Sequence, residues 1–162
     1  MVIDKTLLDT LTSQAKSSPR LRMNYDLRNS GADTSQRMLN AIEPGSEVPV
    51  HRHQKTSETV VVLRGRVVEE LYNDAGEVEA TYELGAGGDA RSQSGRTGDE
   101  SGATGATDEG RGMIFALNIP AGKWHTLRAL ESGTVILEMK DGAYEPIGPE
   151  DILSLSSAAK LQ

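Results

Sequence analysis

Apolar positions recur at helical spacing near the start of the chain. Leu7, Leu8, Leu11 and Ala15 fall on one side of residues 4–16, and Ser17, Ser18 and Pro19 stop the run, which predicts a short amphipathic helix that covers a sheet edge or face. After Pro19 the period drops to two. Leu21, Met23, Tyr25 and Leu27 alternate with Arg20, Arg22, Asn24 and Asp26, the pattern of a strand with two unlike faces. Further strands are predicted at 36–43, 47–53, 58–64, 66–73, 77–84, 113–119, 123–130 and 134–140. Asn73-Asp74-Ala75-Gly76 supplies a hairpin turn and Glu131-Ser132-Gly133 separates another pair, so sequential strands are expected to be antiparallel neighbours. Many short strands predict an all-β sandwich or barrel.

Residues 86–112 interrupt the pattern. They contain no Val, Ile, Leu or aromatic residue and cannot build a core, which predicts a flexible surface loop inserted between two strands, with a functional lid as the alternative. The chain is thus expected to be one domain over 1–162. Its parts are a helix in 1–18, a barrel from 19–85 and 113–147, the inserted loop, and a C-terminal tail over 148–162.

The 17 Lys and Arg against 24 Asp and Glu give a net charge of −7, and no basic run occurs, which argues against binding to a nucleic-acid backbone. The longest strictly aliphatic stretch, Val60 to Leu63, is far too short to span a membrane. Asp4 and Asp9 interrupt the N-terminal segment where a secretory signal would need an apolar core, so a cytoplasmic location is expected. The absence of cysteine restricts any metal site to histidine, carboxylate or backbone ligands.

That restriction directs attention to the three histidines. His51 and His53 are two residues apart, so in extended chain they face the same way and present two imidazoles to one cation. Glu58 can add a carboxylate, either as a direct ligand or as an acceptor that orients an imidazole from behind. His125 completes the set if the later strand lies beside the earlier one. Such a set leaves one or two coordination positions for water or substrate, the arrangement that metal-assisted catalysis needs.

The order Gly45, five residues, His51, one residue, His53, four residues, Glu58, six residues, Gly65 matches the first signature motif of the cupin superfamily. Pro120, Gly122 and His125 follow the spacing of the second motif, although its leading glycine falls at Ile114 and its closing asparagine at Ala129. Ser18 to Arg22, Gln36 to Ala41, His51 to His53, Pro120 to His125 and Glu138 to Gly142 resemble the WbuC family of cupin-fold metalloproteins. The resemblance implies a cupin double-stranded β-helix, or jelly-roll barrel, that holds a metal in its mouth through His51, His53, Glu58 and His125. It also implies homodimers, in keeping with the general need to cover sheet edges, and a weak link to surface polysaccharide biosynthesis.

Six further residues are candidates for contact with a small-molecule ligand. Arg20, Arg22 and Asn24 share one face of a strand, either a solvated edge or an anion-reading wall. Glu138 and Lys140 alternate with Leu137 and Met139 on a late strand and either line the cavity or form a surface pair, with Tyr144 just beyond. Trp124 should point away from His125 and pack in the core or rim. The expected cofactor is one divalent transition metal ion, such as zinc, iron, nickel or manganese. The expected activity is that of a cupin-type isomerase, lyase or dioxygenase acting on a small polar or sugar-like molecule. A non-catalytic, metal-dependent binding or regulatory module is the alternative.

Overall fold

A computed structural model describes residues 1–87 and 113–154, and the greater part of the 86–112 segment therefore lies outside the described residues. One helix, α1 (Lys5–Ser17), precedes eight strands: β1 (Arg22–Asp26), β2 (Ser35–Ile42), β3 (Glu58–Arg64), β4 (Arg66–Tyr72), β5 (Val78–Gly85), β6 (Ala116–Ile119), β7 (Trp124–Ala129) and β8 (Thr134–Asp141). They form a five-stranded sheet in the order β1-β2-β8-β3-β6 and a three-stranded sheet in the order β5-β4-β7. This is an all-β jelly roll, and every pairing between strands is antiparallel.

The inner faces of the two sheets meet in a core of Ile42, Val60, Val62, Val67, Leu84, Ile119, Leu127, Ala129 and Ile136. The outer face of the larger sheet is also apolar. Leu39, Ala41 and Val135 lie there beneath Leu11 and Ala15 of α1, so the helix covers a sheet face, as its stripe predicted. Asp4 caps the helix by accepting from the Leu7 N–H at 3.0 Å. The Arg64 guanidinium donates to the Leu8 carbonyl at 2.9 Å and to the Thr12 hydroxyl at 3.0 Å, which ties the helix to the end of β3.

Three expectations are corrected. Consecutive strands pair at β1–β2 and β4–β5, but the chain changes sheets between β3 and β4 and at each of the three steps from β5 to β8. The first switch turns at Gly65, where φ is +77° and a Cβ would collide with Thr134, so both conformation and space demand glycine. Glu131-Ser132-Gly133 is likewise a crossing between sheets, not a hairpin. The strand expected at 47–53 is reduced to isolated pairing at His51, because Pro49 has no N–H and restricts the residue before it. Finally, part of the expected tail is tied down. The Arg52 N–H donates to the Asp151 carbonyl at 3.1 Å and the Leu153 N–H to the Val50 carbonyl at 2.8 Å, so residues 151–153 form a strap beside 50–52.

Leu11 is 2 % exposed at the centre of the helix–sheet contact. Leu11→Ala is expected to cost about 2–5 kcal/mol in chemical denaturation by loss of transfer energy and creation of a cavity. A loss below about 1 kcal/mol would show that the helix is not an integral layer.

Candidate metal centre

The site is assembled by backbone pairing at one end of the barrel. His51 N–H donates to the His125 carbonyl at 2.9 Å, and His125 N–H returns the bond to His51 at 2.8 Å. The Pro120-Ala121-Gly122 turn adds a third tie, in which Gly122 N–H donates to the His53 carbonyl at 2.7 Å. Gly122 has φ +78°, which favours glycine and lets the chain reverse into β7. Glu58 enters from the first residue of β3, opposite Ile119 on one side and Lys140 on the other.

One ligand atom from each of His51, His53, Glu58 and His125 lies within 4.8 Å of the others. The protonation pattern points the right atoms inward. Nδ1 of His51 lies 3.0 Å from the Pro49 carbonyl, and Nδ1 of His125 lies 3.0 Å from the Lys123 carbonyl. A carbonyl only accepts, so each Nδ1 carries the proton and each Nε2 keeps its lone pair for the centre. His53 Nε2 lies 3.1 Å from the Lys140 ammonium, which only donates, so this nitrogen is also an acceptor. Nε2 of His125 and Oε2 of Glu58 are buried without a hydrogen bond of good geometry, although Oε2 is 3.0 Å from His53 Nε2 and 3.9 Å from His125 Nε2. Buried acceptors left unpaired are costly, and a cation that they jointly bind removes that cost. The donor set fits a metal ion.

The electrostatics favour the same state. Burial, followed by the repulsion that a protonated His125 would exert, lowers the His51 pKa to about 4, and burial lowers His125 as well, so both are neutral ligands at neutral pH. Burial pushes the Glu58 carboxyl up, but the adjacent His53 imidazole and the Lys140 ammonium outweigh it and hold the group well below its ordinary value.

Strand register places two more acids one inward step below this layer. Glu138 lies opposite Val60 and Met38, and Glu69 lies opposite Leu127 on the facing sheet. Glu138 is raised to about 8 by burial and by the Glu58 charge, against the opposing pull of Lys140 and Asn40. Glu69 is fully buried with both carboxyl oxygens unpaired, and burial and then the Glu58 charge raise it well above the usual range. Burial thus favours the protonated form of both acids. Beside His53 a cleft of about 540 Å³ opens to solvent, walled in part by Gln36, Arg52, Gln54 and Asp151.

The other sequence candidates divide clearly. Lys140 and Glu138 face the barrel interior. Arg20, Arg22 and Asn24 do not reach the centre: β1 is an edge strand, with β2 and β8 between it and β3. Arg22 instead donates to the Glu47 carbonyl, and Asn24 meets the Met38 sulfur at 3.3 Å. Tyr144 is 54 % exposed, with the Arg28 guanidinium 5.7 Å above its ring. Trp124 is buried in the rim beneath Arg52, as its position opposite His125 predicted. The strap at 151–153 and Asn40, whose Oδ1 is buried and unpaired, were missed. The apolar pair Ile152-Leu153 after Pro149 is the only sequence signal for the strap.

In metal-free protein the unfolded chain binds protons at His51 and His125 that the folded site refuses. Their contribution is present above the ordinary histidine value of 6.5 and is lost as pH falls toward about 4. Glu138 has the opposite sign: its contribution is complete below 4.5 and is lost as pH rises through about 8. Thermal melts of chelator-treated protein should therefore lose stability from about pH 6.5 to about pH 4, with a shallower loss in His51→Ala. Glu138→Gln should remove part of the loss on the alkaline side. An unchanged acid slope in His51→Ala would contradict this assignment.

Comparison with known proteins agrees with the geometry at the level of fold. The structure of KdgF from Halomonas sp. superposes with a TM-score of 0.50 at 12 % identity, over 78 % of this chain and 84 % of that one. An oxalate oxidase in complex with the substrate analogue glycolate gives 0.55 at 13 % identity, over 82 % of this chain and 57 % of that one. Lactobacillus farciminis oxalate decarboxylase gives 0.50 at 15 % identity, over 82 % of this chain and 30 % of that one. These similarities establish a cupin fold. No curated protein matches the chain. Residues 3–84 match the family described as a domain of unknown function, DUF6016. The chain belongs to that family, and it is a cupin-fold member with a His/His/Glu/His cluster that could bind a metal ion.

Proposed function

We propose that His51, His53, Glu58 and His125 hold one divalent transition metal ion and that the protein is a metalloenzyme acting on a small polar or sugar-like molecule. The observation that carries this reading is the convergence of three Nε2 lone pairs and one carboxylate oxygen, with two of the imidazoles oriented by carbonyls behind them. Bound there, the ion supplies Lewis acidity or, if it is iron, a site for dioxygen chemistry. The cleft beside His53 gives a small molecule access.

An enzyme needs titratable groups beyond the ligands, and this barrel has them. Glu138 and Glu69 offer protons from beneath the donor set, and Lys140 fixes a positive charge beside it. Tyr72 points away and donates to Glu70 at 2.6 Å. The resemblance to the WbuC family suggests a role near surface polysaccharide metabolism, and KdgF is a fold neighbour to weigh beside it. The test is turnover by metal-loaded protein across sugars, uronates and keto acids, with and without dioxygen. Turnover that falls at least about a hundredfold in Glu138→Gln would support an enzyme in which that acid moves a proton. Tight binding of one compound with no turnover under any metal would instead identify a binding module.

A further inference from the structure

Among the described residues Lys140 is the one inward-facing cation of the site, and its surroundings are specific. Its side chain is 12 % exposed, and its Nζ lies 3.3 Å from Glu58 Oε2 and 3.1 Å from His53 Nε2. Both partner atoms belong to the proposed donor set. Glu58 is also the only carboxylate paired with Lys140 among the described residues. The cations on the cleft wall are differently placed: Arg52 pairs with Asp151 at 3.0 Å and Lys55 with Glu145 at 3.2 Å, neither of them a candidate ligand.

A metal ion that takes the single lone pair of His53 Nε2 removes that partner of Lys140, and by taking Glu58 Oε2 it competes for the other. A divalent ion and the ammonium then bring three positive charges into a buried site against the single negative charge of Glu58, since an imidazole binds a metal through a neutral nitrogen lone pair. An uncompensated charge of this kind is expensive to bury. Lys140 is already placed to pair with a carboxylate oxygen, so a ligand carboxylate restores both the charge balance and the hydrogen bond lost from His53.

We infer that Lys140 is an anion-binding group that receives a carboxylate of the ligand at the open side of the metal. The site is thus built for small carboxylic acids, including sugar acids, in preference to neutral sugars. This rests on the metal-centre reading above and narrows its substrate class. Glu138, one step below on β8, is the internal competitor for the displaced ammonium.

The test is titration of Co²⁺-loaded protein with acetate, its neutral analogue acetamide and inorganic phosphate, read by the visible Co²⁺ spectrum and by calorimetry. The expected result is that acetate perturbs the spectrum and binds at least about tenfold more tightly than acetamide or phosphate. Lys140→Met should keep Co²⁺ but lose about tenfold or more in acetate affinity, and Lys140→Arg should recover most of it. Acetate affinity unchanged in Lys140→Met, or no preference for acetate over acetamide, would overturn the inference and leave the metal centre standing. Failure of the unaltered protein to bind Co²⁺ would overturn the metal centre and this inference together.

Discussion

The reciprocal backbone pairing of His51 with His125 is the constraint on which the site depends. These two bonds bring residues from distant parts of the chain to the same end of the barrel, one from an irregular segment and the other from β7. The irregular segment has little sheet of its own to hold it. It is fixed on one side by β7 and on the other by the 151–153 strap, while Arg52 locks outward between Asp151 and the Trp124 ring. His51 and His53 are thereby aimed inward on either side of an outward Arg52, the two-residue alternation of extended chain without a regular strand.

The barrel interior divides along its axis. At the closed end Ile42, Val62, Val67, Ala129 and Ile136 give the apolar burial that holds the sheets together. Toward the mouth the same inward positions become Glu138, Glu69, Lys140, Glu58 and His125. Those polar residues lower stability, since charges and unpaired acids in a low-dielectric interior are costly. Their presence in an otherwise apolar barrel is the structural signature of a site. The second hydrophobic layer beneath α1 offsets part of that cost from outside the larger sheet.

This second layer also explains what the sequence hid. The helix, eight of the nine predicted strands and the grouping of the four donor residues were legible, because period-two alternation and histidine spacing are local signals. The orientation of β8 was not. Leu137 has the apolar character of a core position and Lys140 that of a surface position, yet Leu137 packs in the layer under the helix while Lys140 turns into the barrel. Alternation tells which residues share a face, but tertiary packing decides which face is inside. The sheet switch at Gly65 and the strap at 151–153 were hidden for a related reason. Both depend on partners far away in the chain, Thr134 for the first and Val50 and Arg52 for the second.

The central claim is that four convergent side chains hold a metal ion, and elemental analysis addresses it most directly. Protein purified without added metal or an affinity tag should be compared with a His51→Ala/His125→Ala double variant. The account predicts near-stoichiometric transition metal in the unaltered protein and its loss in the variant, which must remain folded by circular dichroism. A folded, unaltered protein that carries no metal, even after incubation with divalent ions, would contradict it.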